Sequence, residues 1–358
     1  MIPLVDVKAQ YARLIPELKR VFAEVLEDGR FVFGPNVAAF EAEAAAYLGV
    51  PETVGVGNGT DAIVIVLDAL EVGPGDEVIC PSFTFYATAE GIARRGATPV
   101  FADVDPETMN LDVEDVAARI TPRTKAIMPV HLFGRPAPLP ELARLGLPIV
   151  EDAAQAFGSP AIATTGIAST FSFYPTKNLF GLGDGGLIAV RDAELAERIR
   201  MLRFHGSKAK QTFEYVGYNS RLDEIQAAAL RLFLRELDGW TLQRREAANR
   251  YNELGLGELV ETPVDEPGHV YHLFVCCSPQ RDAIQAALAE REIATAHYYL
   301  PPLHLQPALA YLGYKEGSLP VTEQLARDNF SLPLWAGIDA DTQEQVAEAV
   351  RAAVAVRA

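Results

Sequence analysis

Apolar positions along this chain change spacing as it proceeds. Over Tyr11–Asp28 they recur every three to four residues, the mark of a helix with one buried face, and Gly29 supplies the stop. Phe40–Leu48 repeats the pattern up to Gly49, and Ala62–Leu70 repeats it up to the Gly73-Pro-Gly-Asp76 turn. Short apolar runs then read as strands: Glu77–Cys80, Thr98–Ala102, Ala126–Val130, Pro148–Val150, Thr170–Phe173 and Gly186–Val190. Several are apolar at every position, as in sheets covered on both faces. Strands alternating with helical stretches predict crossover units and a mostly parallel sheet. Leu222, Ile225, Ala229, Leu230, Phe233, Leu237 and Trp240 mark one face of a long helix. Beyond it, His269–Ser278 and Ile293–Tyr299 read as strands, and Arg281–Arg291, Val321–Phe330 and Asp339–Val354 as helices. The pattern predicts an α/β fold: a large domain over 1–240, its sheet sandwiched by helices, and a smaller α+β domain over 241–358, with a cleft between them.

Composition narrows the classes. The net charge is −17, from 31 basic and 48 acidic residues, with no block of like charge. A nucleic-acid partner needs a basic footprint, and the sequence offers none. No apolar run reaches membrane-spanning length, and Met1–Lys8 lacks a signal pattern, so a cytoplasmic protein is expected. Cys80, Cys276 and Cys277 are odd in number and lack metal-ligand spacing. They read as buried small hydrophobes in a reducing compartment, and no metal site is expected. Neither the His-Glu-x-x-His pattern of metalloproteases nor the Gly-x-Ser-x-Gly pattern of serine hydrolases occurs.

The candidate chemistry sits at strand ends. Lys177 follows an apolar strand and precedes the glycine-rich stretch Gly181–Gly186; partial desolvation there would lower its pKa and make it a usable amine nucleophile. Asp152 follows the strand Pro148–Val150, where ligands bind in open α/β sheets, and a carboxylate there can keep a pyridine nitrogen protonated. Gln155 shares a helical face with it. Gly57-Asn-Gly-Thr-Asp61 opens a helix, so the N–H groups around Gly59, Thr60 and Asp61 could receive a phosphate, with Ser172 adding a hydroxyl. Phe85, in Pro81-Ser-Phe-Thr-Phe85, could stack on a flat ring. His297 and Tyr298, followed by His304, could line a polar pocket. Taken singly, each has a plainer reading: a solvated loop lysine, a helix N-cap, a capped turn, a core aromatic, a hydrogen-bonded packing residue.

Taken together, the segments resemble the DegT/DnrJ/EryC1/StrS sugar aminotransferases, within the aspartate-aminotransferase superfamily (fold type I). The resemblance rests on stretches in the family's order. They include Gly34-Pro35, Gly57–Ala62, Gly73–Val78, Pro81–Phe85, Phe101–Asp105, Thr121–Ala126 and Pro129–Gly134. Glu151–Gln155, Phe171–Asn178, Gly183–Gly186, Asn219–Asp223 and His297-Tyr298 complete the set. It implies pyridoxal 5′-phosphate (PLP, or its amine form PMP) as cofactor. Lys177 would bind it as a Schiff base, Asp152 would pair with its ring nitrogen, and Gln155 would lie near its O3′. Thr60, the Asp61 backbone and Ser172 would hold the phosphate, at the turn that includes Gly59, and Phe85 would stack on the ring. Asn219 would reach the phosphate in a neighbouring subunit, which implies a homodimer, and His297 and Tyr298 would lie near the sugar. The implied reaction moves an amino group from an amino acid, glutamate by resemblance, to a keto-hexose on a nucleoside diphosphate. His205-Gly-Ser-Lys208 with Val216-Gly-Tyr-Asn219 resembles the branch that acts on 3-keto rather than 4-keto sugars.

The sequence departs from the family between Gln155 and Phe171. The family's loop there is longer and carries basic residues, whereas Phe157–Ser169 is short and uncharged. Two rivals stand beside the aminotransferase reading. A PLP-dependent sugar dehydratase resembles this family with histidine in place of the lysine, so Lys177 opposes it. A non-catalytic PLP-binding sensor would carry a DNA-binding module, for which the chain has no basic region and no spare length.

Overall fold

The computed structural model describes residues 1–355; residues 356–358, the end of the expected C-terminal domain, lie outside the described residues. Seven strands precede the long helix: β1 Glu52–Val56, β2 Glu77–Pro81, β3 Thr98–Ala102, β4 Thr124–Ile127, β5 Val150–Asp152, β6 Ala168–Ser172 and β7 Gly186–Val190. They form two ladders, β3-β2-β4 and β5-β6-β7-β1. Parallel bridges Ile127↔Ile149 and Val130↔Asp152 join the ladders into one sheet, β3-β2-β4-β5-β6-β7-β1. Only β7 runs against its neighbours; the other pairs are parallel. The sheet is mixed and mostly parallel, as the strand–helix alternation implies.

Helices cover both faces, and β7 shows how. Its Leu187 and Ala189 enter a core with Phe171, Phe173, Leu230, Phe233 and Leu237. The alternating Ile188 and Val190 enter another with Val54, Val56, Ile63, Val66 and Val78. A strand buried on both sides needs apolar residues throughout, which is why these runs lack a polar face.

Element limits shift for local reasons. The expected helix Tyr11–Asp28 is three pieces, Val7–Tyr11, a 3-10 turn over Ala12–Leu14, and Ile15–Asp28. Pro16 lacks an N–H and so sits at the start of the last piece, and Gly29 ends it with φ 71°. The helix expected from Phe40 begins at Pro35, because the Glu224 carboxylate accepts the N–H groups of Asn36 and Val37 and replaces a local cap. Strand β1, whose Val-Gly-Val-Gly run is not among the strands expected from the sequence, packs closely: a Cβ on Gly55 would lie 3.0 Å from that of Leu222.

The C-terminal part holds a two-stranded antiparallel ladder, β8 Phe274–Cys277 with β9 Asn329–Leu332, and helices Arg281–Glu290, Pro320–Asp328 and Ala340–Ala355. Two expectations are corrected here. Ile293–Tyr299 is not a strand: it makes only the single bridges Ile2↔Ile293 and Ala296↔Ser331. Its N–H groups are taken up singly, that of Ala294 by the Ile2 carbonyl and that of Tyr298 by the Asn329 side chain, so no ladder forms. The helix expected to reach Phe330 ends at Asp328, because the buried Asn329 amide donates back to the Leu325 carbonyl at 2.7 Å and frees Phe330–Leu332 to pair with β8. The helix Glu224–Glu253 runs through residue 240 without a break. Its first half feeds the core of the large sheet, and its second half the core around Tyr271, Phe274 and Phe330. A third cluster draws on both parts, with Phe83, Val130 and Phe133 meeting Leu273, Val275 and Leu325. The site lies above this shared floor.

Candidate active site

Parallel neighbours β5 and β6 deliver Asp152 and Ser172 to the same edge of the sheet, Asp152 pairing in register with Thr170. Asp152 is buried. Its Oδ2 accepts from the Thr88 hydroxyl at 2.7 Å and its Oδ1 from the Ala154 N–H at 3.2 Å. Burial pushes its pKa up; the two hydrogen bonds and the Lys177 charge pull the other way. Lys177 lies in the turn after β6, half-buried, its N–H bonded to the Tyr174 carbonyl. Desolvation brings its ammonium down to about 8 against the opposing pull of Asp152. The two expected partners are therefore one electrostatic unit.

The turn expected to receive a phosphate is the N-terminus of the helix Gly59–Ala69. Asn58 caps it: its side chain accepts the Asp61 N–H at 2.8 Å, and its carbonyl accepts from Ala62. The Asp61 backbone is thus engaged by the cap, and the unclaimed donors of the first turn are the N–H groups of Gly59 and Thr60. The helix end is pressed onto Ser172: a Cβ on Gly59 would lie 2.7 Å from that of Ser172, and one on Gly186 would lie 2.5 Å from the Asn58 carbonyl carbon. Only glycines permit this approach. Ser220, which the sequence did not single out, braces this turn from the side, accepting the Gly57 N–H and donating to the Asp61 carboxylate at 2.6 Å.

The Pro81–Phe85 motif divides its work residue by residue. Ser82 bonds His304 through Nδ1 at 2.7 Å, and His304 Nε2 donates to Glu323 at 3.1 Å, all three being buried. Phe83 is fully buried against Phe133 and Tyr299. Thr84 lies 3.4 Å from the Thr88 hydroxyl. Phe85 stays 60% exposed, a ring held at the strand end with nothing of its own chain covering it.

Gln155 is buried, its Oε1 accepting the Phe133 N–H at 2.7 Å and its Nε2 donating to the Tyr299 hydroxyl at 3.1 Å. The segment expected to contribute His297 and Tyr298 therefore reaches this cluster through the next residue. His297 is exposed, and Tyr298 is half-buried with its N–H on the Asn329 side chain. Asn219 is exposed and tied to its own chain by a backbone bridge to Phe204. Thr88 and His272 escaped the sequence reading, while Ser220 and Tyr299 lay within the stretches Asn219–Asp223 and His297–Pro302 without being singled out. His272 is buried, and burial together with the Lys177 and Arg244 charges holds it well below its ordinary pKa. Nothing but tertiary contact distinguishes these four from their neighbours in the chain. The short loop after Gln155 is pinned from below: Glu151 accepts the N–H groups of Ala163 and Gly166, both at 2.8 Å.

These residues fit a phosphorylated pyridine aldehyde: free N–H donors beside a hydroxyl, a partly deprotonated lysine, a buried carboxylate and an exposed aromatic face. The model of the DegT/DnrJ/EryC1/StrS aminotransferase family matches residues 13–351. This chain belongs to that family. A "Pleiotropic regulatory protein" of Geobacillus stearothermophilus is 48% identical over 98% of this chain and 97% of its own length. A dTDP-3-amino-3,4,6-trideoxy-alpha-D-glucose transaminase of Streptomyces venezuelae is 43% identical over 98% and 95%. The crystal structure of S. venezuelae DesV with a ketimine intermediate superposes with a TM-score of 0.95 at 44% identity, covering 98% of each chain. The fold is that of the fold type I aminotransferases, and the chain is a PLP-dependent aminotransferase.

Proposed function

We propose that this aminotransferase moves an amino group from glutamate to a keto-hexose carried on a nucleoside diphosphate, with the ketone at C3. The observation that carries the reading is the pairing of Lys177 with Asp152 at the ends of adjacent parallel strands. Amino-sugar transamination is supported by the activities for which relatives are named, in which dTDP and UDP sugars both occur and the amino group falls at C3. The His205–Lys208 and Val216–Asn219 stretches point the same way.

When bound, the cofactor supplies an electron sink conjugated to the reacting carbon. Gly59, Thr60 and Ser172 would hold its phosphate, Phe85 would cover its ring, and Gln155, oriented by Phe133 and Tyr299, would lie beside its O3′. Asp152 would keep the ring nitrogen protonated. Lys177 would hold the cofactor through its amine and, as a free amine, would be the base placed to take the proton from the donor's α-carbon. With its pKa at about 8, about one Lys177 in ten is a free amine at pH 7, against about one in 2,500 for an ordinary lysine. Asn219, exposed on its own protomer, would complete the site of a second copy, so the working unit is a homodimer. The division of labour at residue 240 and a cytoplasmic setting belong to the same proposal, the latter supported by three unpaired buried cysteines.

The test is a panel of nucleotide-linked 3- and 4-keto sugars with mass detection of the amine, beside the absorbance of the purified protein on adding glutamate. Loss of the visible band and amination at C3 are expected. A band that persists with glutamate would indicate a sensor or another PLP reaction. Mixing Lys177→Ala with Asn219→Ala protomers tests the shared site: hybrids regain one intact site and hence activity.

A further inference from the structure

Asp152 has an unusual set of neighbours for a group that must stay charged. It lies buried at the end of β5. The titratable groups facing it are Lys177 from the turn after β6, His131 from the loop after β4, Cys80 from β2 and Tyr299 from the C-terminal part. Cys80 and Tyr299 are both pushed upward by burial and stay neutral, so they offer the carboxylate no countercharge. His131 gives its Nε2 proton to Glu151, not to Asp152. Among the described residues Lys177 is the ammonium beside it, and that charge is lost whenever the amine is deprotonated or taken up as a neutral imine. The lasting side-chain support for the Asp152 charge is then the Thr88 hydroxyl, which donates to Oδ2 at 2.7 Å from the first turn of the helix Ala87–Arg94. Thr88 is itself buried, with Thr84 as the next hydroxyl at 3.4 Å.

We propose that Thr88 is a positioning residue for Asp152: its hydroxyl fixes the carboxylate's rotation and keeps it ionised whatever the state of Lys177. This rests on the proposed pairing of Asp152 with the cofactor's ring nitrogen. A hydroxyl that donates to a buried carboxylate stabilises the anion over the neutral acid. Removing it raises the Asp152 pKa and lets the side chain turn. A neutral Asp152 cannot hold a protonated pyridine, so cofactor affinity falls, most on the acid side, and returns as pH rises through the raised pKa.

The experiment uses PLP binding to the cofactor-free full-length protein, followed by fluorescence quenching from pH 6 to 9, in wild type and in Thr88→Val, Thr88→Ser, Asp152→Asn and Lys177→Ala. Valine keeps the threonine shape and loses the hydroxyl; serine keeps the hydroxyl and loses the methyl. If Thr88 acts through its hydroxyl, Val weakens binding about tenfold near pH 7 relative to wild type, with the ratio closing towards pH 9, and Ser stays within about twofold. A packing role reverses the order, and an equal effect of Val and Ser, or a Val effect independent of pH, overturns the proposal. In the Lys177→Ala background, where no lysine charge remains, the Val effect persists or grows; its disappearance there also overturns the proposal. Asp152→Asn separates the two levels. If it leaves PLP affinity and its pH dependence unchanged, the ring-nitrogen reading itself fails. If Asp152→Asn weakens binding while Thr88→Val does not, only the role of Thr88 fails.

Discussion

Glu151 and Asp152 are consecutive carboxylates on one short strand, and they do opposite things. Strand geometry sends them to opposite faces of the sheet. Glu151 accepts from the His131 ring at 3.0 Å and from the Ala163 and Gly166 N–H groups at 2.8 Å. Because the Ala137 N–H donates to His131 Nδ1, the ring's proton must sit on Nε2, aimed at Glu151. Three donors outweigh burial, and the Glu151 pKa lies below its ordinary value. Asp152 has two donors, one of them long, and burial wins: its pKa is raised. Glu151 is a saturated anion that anchors a loop. Asp152 is an under-supported anion with capacity left for a ligand proton. Burial alone does not mark a reactive carboxylate; burial with too few donors does.

The largest break in this comparison removes the cation on the Asp152 face. Lys177→Ala should lower transamination by more than about 10,000-fold, losing both the covalent attachment and the proton carrier, and should abolish the visible band. Retained activity in stopped assays with glutamate would refute its role. Next, Asp152→Asn should lower kcat by about 100- to 1,000-fold. Glu151→Gln should leave kcat per folded molecule within about twofold but cost about 2–3 kcal/mol in urea unfolding, since an amide cannot accept from all three donors. If Glu151→Gln instead cut kcat as deeply as Asp152→Asn, the contrast would be wrong.

Stability against pH should separate the two by sign in the cofactor-free protein. Glu151 has a lowered folded pKa, so its contribution is present above the ordinary carboxylate range and is lost as pH falls through the folded value. Asp152 has a raised folded pKa, so its ionised form costs stability at neutral pH, a cost relieved as pH falls below that value. Asp152→Asn should therefore raise the melting temperature at pH 7 and lose that advantage in acid, whereas Glu151→Gln should lower it at pH 7. The smallest effect expected is that of Tyr299→Phe. It removes the acceptor for Gln155 Nε2 and should change KM or kcat by only about two- to tenfold, a single neutral hydrogen bond being worth about 1 kcal/mol.

Much of this was legible in the residues. The strand Gly186–Val190 occurs as its apolar run marks it, because a strand buried on both faces has no polar position to blur its ends; the edge strand Thr98–Ala102 is also found at its expected limits. β1 was hidden by its glycines, and Ile293–Tyr299 imitated a strand because local apolar content does not reveal whether a partner edge is free. His297 and Tyr298 carried the family resemblance, yet it is Tyr299 that meets Gln155.

By itself, the sequence determined the α/β class and the family, and it marked Lys177, Asp152, Gln155, Ser172 and the Gly57–Asp61 turn as candidates, because strand-end position and backbone chemistry are local properties. The tertiary structure alone decided which of two adjacent carboxylates is spare, that Thr88 bonds Asp152 and Ser220 bonds the Gly57–Asp61 turn, and that Lys177 is desolvated beside Asp152. These depend on how many donors and how much apolar surface converge on one atom from elements far apart in the chain, and no spacing along the chain encodes that count.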